Sequence, residues 1–366
     1  MPKGALGVLM SWAAASAIPA YAQHAAGGPA PDSGSTGIGR FFPLPVVFYQ
    51  PETGWGFGGA LLHTVRLARD ARTGTNFLTL VYTLKSQYSA SLVSELYTAG
   101  NRLVLLGDLG GSHFPDKFHG LGNATRADTS ERYTLDQARV ALEIRVRVLR
   151  RVYLGPSVLY QWAAVKDTAA GGLLARGTIP GSGGGTVSGI GAGLVVDTRE
   201  HPLAPRHGAF VALRARLQNG ALGSDFDYLR YELDARGYVS VIQRHVLALQ
   251  LVATGSTGDP PFVDLPRLGG ANLFRGSYEG RFRDRQRVAA QVEYRLPVWG
   301  PLGLTLFGSA GQVLRSWGDF RLADLHYAGG GGVRVRLSRA ERVSVRIDVG
   351  FGPGESGVYF ALGEAF

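Results

Sequence analysis

The sequence predicts an all-β protein, a transmembrane antiparallel β-barrel of sixteen strands. Three observations predict it. Apolar and polar residues alternate with a period of two over much of the 366 residues, which is the pattern of a strand with two unlike faces. Beyond the first 22 residues no apolar run reaches the length of about twenty residues that a membrane-crossing helix needs, which leaves a barrel as the one way to span a bilayer. The linkers alternate between short and long, as expected when tight turns lie on one side of a membrane and loops on the other.

In chain order, Lys3, the apolar run "GALGVLMSWAAASAI" and the small-x-small triplet "AYA" read as a secretory signal peptide over residues 1–22, cut after Ala22. Residues 23–39, rich in Gly, Pro, Ala and Ser, read as a flexible lead, and residues 40–366 as the barrel. Strand candidates fall at 40–50, 54–68, 74–86, 88–98, 101–113, 132–149, 151–166 and 186–198. A second set falls at 208–219, 225–242, 244–257, 286–299, 302–313, 327–338, 341–352 and 357–366. In "RVALEIRVRVL" Val140, Leu142, Ile144, Val146 and Val148 share one face, opposite Arg139, Glu143, Arg145 and Arg147. Segments 211–217, 333–337 and 343–349 repeat the arrangement. Linkers after even strands are mostly short ("AGN", "RR", "QR", "GP", "RA"), whereas 114–131, 167–185, 258–285 and 314–326 are long. Tyr153, Tyr160, Trp162, Tyr231, Tyr238, Trp299 and Tyr359 are candidates for interfacial girdles.

The formal charge of +10 comes almost wholly from arginine, since Lys3, Lys85, Lys117 and Lys166 are the lysines. Arginine keeps its charge when partly buried. On the alternation, Arg139, Arg145, Arg147, Arg214, Arg216, Arg230, Arg236, Arg295, Arg334, Arg336 and Arg346 line the lumen, and the inward acids Glu143, Glu232, Asp234, Glu293 and Asp348 are fewer. Such an interior favours anions. With no cysteine, disulfide frameworks and thiolate metal sites are excluded. His113, Asp116 and His119 lack metal-ligand spacing, no Gly-x-Ser-x-Gly elbow is present, and "GIGAGL" lies inside a strand without a βαβ context. The sequence therefore points to no enzyme, no cofactor, no metal and no nucleic-acid partner.

The stretch "LFRGSYEGRFRD", residues 273–284, with the following "RVAAQVEYRLPVWGPLGLTLFGSAGQV", resembles the bacterial surface antigen family of outer-membrane barrels, the BamA/TamA-like group. In that family an Arg-Gly motif between an aliphatic residue and an aromatic tips the sixth outer loop, which folds back so that its arginine docks on the inner wall. Phe274, Arg275 and Gly276 match; Ser277 stands where the aromatic is expected and Tyr278 follows. In "AAQVEYRLP" Glu293 falls on the inward face with Gln291 and Arg295, so it is available to receive Arg275, whose planar fork suits a bidentate contact. The family usually offers an aspartate on the next strand; here Phe307, Ser309 and Gly311 hold that spacing. Ser309 forms no ion pair, so the lock is expected to rest on Glu293.

Two further segments agree. "GLVVDTREHPLAPRHGAFVAL" resembles the family's Asp-x-Arg and Pro-x-x-Gly periplasmic turn, with Asp197, Arg199, Pro205 and Gly208 in those places. "GVYFALGEAF" resembles the assembly signal of outer-membrane barrels, with Val358, Phe360, Leu362 and Phe366 expected on one face. Members that insert or export proteins carry periplasmic POTRA domains, and residues 23–39 offer no room for one, so a barrel-only member is expected.

The resemblance implies a barrel in the outer membrane of a Gram-negative bacterium, acting in protein insertion or polypeptide translocation through a seam weakened by Pro43 and Pro45, which cannot donate ladder hydrogen bonds. The alternative is a gated pore or transporter for small anions or lipids, or an anchor for a separate periplasmic protein. The implied partners are outer-membrane lipids and lipopolysaccharide, the barrel assembly machinery during biogenesis, and a polypeptide client.

Overall fold

Alternation of this kind satisfies the backbone only if each strand finds two neighbours, and among the described residues the chain meets that demand for all but the first and last strands of its sheet by pairing in sequence order. The computed structural model describes residues 37–50, 54–126, 128–201, 203–242, 244–338 and 342–366; the expected signal peptide and residues 23–36 of the expected lead lie outside them. The strands are β1 (Gly37–Gln50), β2 (Gly54–Arg66), β3 (Gly74–Thr83), β4 (Tyr88–Tyr97), β5 (Leu103–Phe118), β6 (Glu131–Leu149), β7 (Val152–Lys166), β8 (Gly184–Asp197) and β9 (Gly208–Gln218). They continue as β10 (Tyr228–Ser240), β11 (Val246–Gly258), β12 (Arg267–Leu268), β13 (Phe282–Arg283), β14 (Gln286–Trp299), β15 (Leu302–Leu314), β16 (His326–Ser338), β17 (Val343–Gly352) and β18 (Glu355–Leu362).

Among the described residues, sixteen of these form one sheet in the order β1 to β11 and then β14 to β18. The short pair β12–β13 stands apart, inside the loop between β11 and β14. The two strands meet because Gly269, Gly270, Gly276 and Gly280, all at positive φ, fold the chain between them back on itself, and Arg283 of β13 also bridges to Gly122 in the loop after β5. The sheet carries its polar face inward. On β6, Leu142 and Ile144 are exposed while Glu143 and Arg145 are buried. A water-soluble protein would invert that order; a barrel in lipid requires it.

Three expectations need correction. β5 runs on to Phe118, past the expected end at 113, because Phe114, Phe118 and Tyr133 continue the inward set, and Phe118 and Tyr133 pack with Phe262 of the long loop. Tyr153, Tyr238 and Tyr359 are buried rather than interfacial, since each sits on the inward parity of its strand; Tyr160, Trp162 and Trp299 are exposed. Phe366 does not share a face with Phe360 and Leu362. β18 ends at Leu362, Gly363 turns the chain at a φ of +79°, and Phe366 packs inside against Tyr238, Val246 and Ala248.

Leu142 lies near the middle of β6 on the outward face. Replacing it with arginine is expected to destabilise the barrel by about 2–4 kcal/mol if that position is at the bilayer midplane, measured by denaturant unfolding from lipid vesicles; an unchanged midpoint would contradict the outward assignment.

Candidate functional site

The loop of residues 259–285 enters the lumen because its sequence supplies an apolar neck and a charged tip. Leu268, Phe274 and Phe282 pack with Ala289 of β14, Val313 of β15 and Ala328 of β16, and Phe282 stacks on His326 at 3.9 Å. Beyond that neck Arg275 is wholly buried. Its Nη2 meets Glu293 Oε2 at 2.6 Å and its Nη1 meets Asp348 Oδ2 at 2.7 Å. The guanidinium lies 3.6 Å above the Phe307 ring, a cation–π contact in a desolvated place.

The backbone of the tip is equally constrained. Gly276, at a φ of +120°, donates its N–H to Tyr359 Oη at 2.8 Å. A Cβ there would stand 2.4 Å from the carbonyl carbon of Phe351, and one at Gly350 would stand 2.7 Å from Arg275 carbonyl atoms. Loop and β17 touch backbone to backbone, which glycine alone allows. The same closeness explains the departure at position 277: a Cβ on Gly352 would meet Ser277 Oγ at 2.3 Å, so no ring fits beside β17. Tyr359 of β18 supplies the aromatic instead. Tyr278 donates its N–H to Glu355 at 2.9 Å and its hydroxyl to Asp116 at 2.7 Å.

Around Arg275 the charges form one network. Arg295 contacts Glu293 at 2.8 Å, and Arg334 contacts Asp348 at 2.5 Å and Glu364 at 2.8 Å. Arg346 lies 3.5 Å from Asp348 and donates to Asn272 of the loop. Arg295 also donates to the Phe366 carbonyl oxygen at 2.9 Å. The lock therefore does not rest on Glu293 alone, as the sequence suggested. Ser309 is buried and makes no ion pair, and a Cβ on Gly311 would sit 3.0 Å from Leu268; the second carboxylate comes from Asp348, on β17. Asp348 is legible as an inward acid, but only the register of β15, β16 and β17 brings it under the loop.

The lumen is also less cationic than arginine parity suggested. Arg139 pairs with Asp108, Arg145 and Arg214 with Glu143, Arg230 with Asp264 and Arg236 with Asp234. Arg147 and Arg336 bind the carbonyls of Gly100 and Gly300 in neighbouring turns. Asp108 and Asp264 are not legible as inward acids in the sequence, because glycine-rich β5 and the loop obscure the alternation.

At the other end of the barrel the remaining motif residues meet. Arg199 binds Asp197 at 3.0 and 3.1 Å, Arg72 binds Asp197 at 2.9 Å, and Arg199 lies 4.6 Å over Phe210. Burial opposes the charge on Arg199, but the Asp197 carboxylate outweighs it and holds the pKa above the usual guanidinium value. Gly208, at a φ of +102°, lets the chain re-enter β9 where a Cβ would lie 2.5 Å from Thr198 O. The turn crosses the mouth: Leu203 packs with Leu62 and Val343, joined by Phe42 of β1 and Leu362 of β18. Glu200 binds Arg342 at 3.0 Å. His201 is buried, and desolvation first, then Arg342, lowers its pKa from 6.5 to about 3.

Two outcomes are expected. Replacing Glu293 with alanine leaves Arg275 with Asp348 alone and takes from Arg295 its nearest carboxylate, a loss of about 3–5 kcal/mol for a broken buried pair. Limited proteolysis should then cut the loop at Arg281 or Arg285 much faster than in the unaltered barrel, and equal rates would refute the lock. His201 is uncharged in the folded turn down to about pH 3, while the unfolded chain binds a proton below about 6.5. Stability is therefore fully present above pH 6.5 and falls as the pH drops from there towards 3. Between pH 7 and pH 5 the loss is about 2 kcal/mol, to be seen in the denaturation midpoint and absent in His201→Leu.

The Omp85 superfamily domain model matches residues 70–366, and no curated protein sequence matches the chain significantly. Among solved structures the chain is similar to BamA from Haemophilus ducreyi lacking POTRA domains 1-3, with a TM-score of 0.56 and 12% identity over 88% of this chain and 68% of that one. It is similar also to CdiB from Acinetobacter baumannii (TM-score 0.57, 11% identity, 88% and 59%) and CdiB from Escherichia coli (0.60, 12%, 88% and 61%). At these identities the likeness is one of fold, and the chain spans about three fifths of either CdiB chain. The domain match, on a sixteen-stranded sheet with its polar face inward, makes the chain a member of the Omp85 superfamily of outer-membrane β-barrels.

Proposed function

We propose that the protein is a non-enzymatic barrel that inserts or translocates polypeptide by opening between β1 and β18. One observation carries this reading. Every other neighbouring pair in the sheet is hydrogen-bonded, whereas no ladder joins β1 to β18 among the described residues. β1 includes Pro43 and Pro45, which withhold two N–H groups, and β18 has only 8 residues against 14 in β1. Each ladder bond contributes about 0.5–1.5 kcal/mol net, so parting this junction costs far less than parting any other. In this reading the chain reaches a Gram-negative outer membrane behind a cleaved signal peptide, its barrel is built there by the assembly machinery, and phospholipid and lipopolysaccharide surround it.

A second reading, a gated pore for small anions or lipids, is favoured by a cavity between the loop and the inner wall, lined by Arg139, Gln161, Arg230, Glu232, Gln250 and Arg287. The two separate experimentally. The chain has no cysteine, so one cysteine placed on β1 and one on β18 can be joined by oxidation. Vesicles carrying the joined barrel should fail to insert a urea-denatured outer-membrane barrel and recover on reduction. If joining leaves insertion unchanged, while Arg275→Ala raises conductance in planar bilayers, the pore reading replaces the first.

A further inference from the structure

The two rims of the barrel differ in charge. The outer loops carry exposed acids such as Asp225, Asp227 and Asp259 as well as arginines. On the other rim, which faces the periplasm in the orientation that the family resemblance implies and on which this inference rests, the turns after β2, β4 and β6 carry arginines with Asp70 as their acid. Arg72 is held by Asp197, and Arg147 by Gly100 O at 2.6 Å. Arg69, Arg102, Arg150 and Arg151 are exposed, and their side chains have no partner among the described residues.

These three turns form one surface. Arg72 donates its N–H to Asn101 Oδ1 at 2.6 Å, and Arg147 donates its N–H to Arg102 O at 2.8 Å. The surface runs from β2 to β7, about 25 Å at the spacing of neighbouring strands. Apolar side chains stand beside the guanidiniums: Leu67, Val148 and Leu149 are all exposed. The tightest turn carries a second sign. A two-residue hairpin favours Asn or Gly where φ is positive, yet Arg151 occupies such a place at +67°. Backbone strain of this kind is kept where the side chain matters.

We propose that this arc binds the headgroups of anionic phospholipid in the inner leaflet, with Arg69, Arg102, Arg150 and Arg151 taking the phosphates and Leu67, Val148 and Leu149 the adjoining methylenes. A guanidinium suits a phosphate bidentately, and the apolar side chains set at the same level favour a lipid boundary over the surface of an acidic protein.

The test uses the full barrel in nanodiscs of phosphatidylethanolamine with phosphatidylglycerol added, with retained lipid counted by native mass spectrometry. Each neutralisation in Arg102→Gln, Arg150→Gln and Arg151→Gln should lower phosphatidylglycerol retention about fivefold and leave phosphatidylethanolamine unchanged. Arg150→Lys with Arg151→Lys, which keeps the charge, should retain most of it. Equal retention in the glutamine variants overturns the proposal, as does binding of an acidic soluble protein with no preference among lipids. The orientation is checked apart: Arg151→Cys labelled by an impermeant maleimide on intact cells would overturn the orientation without altering retention in nanodiscs.

Discussion

A guanidinium can rest at the centre of a barrel only if the wall around it answers its charge. Arg275 meets that condition through Glu293 on β14 and Asp348 on β17, with the Phe307 ring beneath. Much of the interior follows from this requirement. The carboxylates must be inward, which fixes the parity of their strands; β17 must offer glycine where the loop backbone lies against it; and Arg295, Arg334 and Arg346 must share acids already engaged. Four guanidiniums surround Glu293, Asp348 and Glu364, so no carboxylate in the group is redundant. The loop is held by charge at its tip and by apolar contact at its neck, two forces that respond differently to salt and to mutation.

The site and the proposed seam are neighbours. Asp348, Tyr359 and Glu355, which receive the loop, belong to the last two strands, and Glu364 and Phe366 lie just beyond them. An edge strand without a ladder partner exposes a row of unpaired backbone groups. Here the interior face of that edge is fixed by the loop, which leaves its outer margin as the part able to accept another strand. That division suits a barrel that exchanges partners at one margin while keeping its shape.

Much of this was readable in the sequence, and the rest was hidden for definable reasons. Period-two alternation gives a face to each residue, so the strands and the inward Glu293 could be read directly, and the resemblance set Asp197 and Arg199 in one turn without showing that they pair. Alternation says nothing of which strands lie opposite one another. Asp348 was visible as an inward acid, yet Ser309 held the position where the resemblance sought a carboxylate, and only cross-strand register decides between them. Phe366 has the parity of Phe360, but parity ends where a strand ends, and Gly363 ends this one. Tyr153, Tyr238 and Tyr359 were misread because tyrosine suits both an interface and a polar interior; Tyr359 lies inward because its hydroxyl is wanted by Gly276.

The turn between β8 and β9 has a mechanical meaning. Those strands sit midway along the sheet, as far from its two margins as any can, yet Leu203 reaches contacts shared by Phe42 near one margin and Leu362 near the other. A single short segment thus acts as a tie-rod across the diameter. Parting the margins must either stretch this strut or detach its end, so a small change far from the gap, on the opposite wall, can set how much force the gap resists.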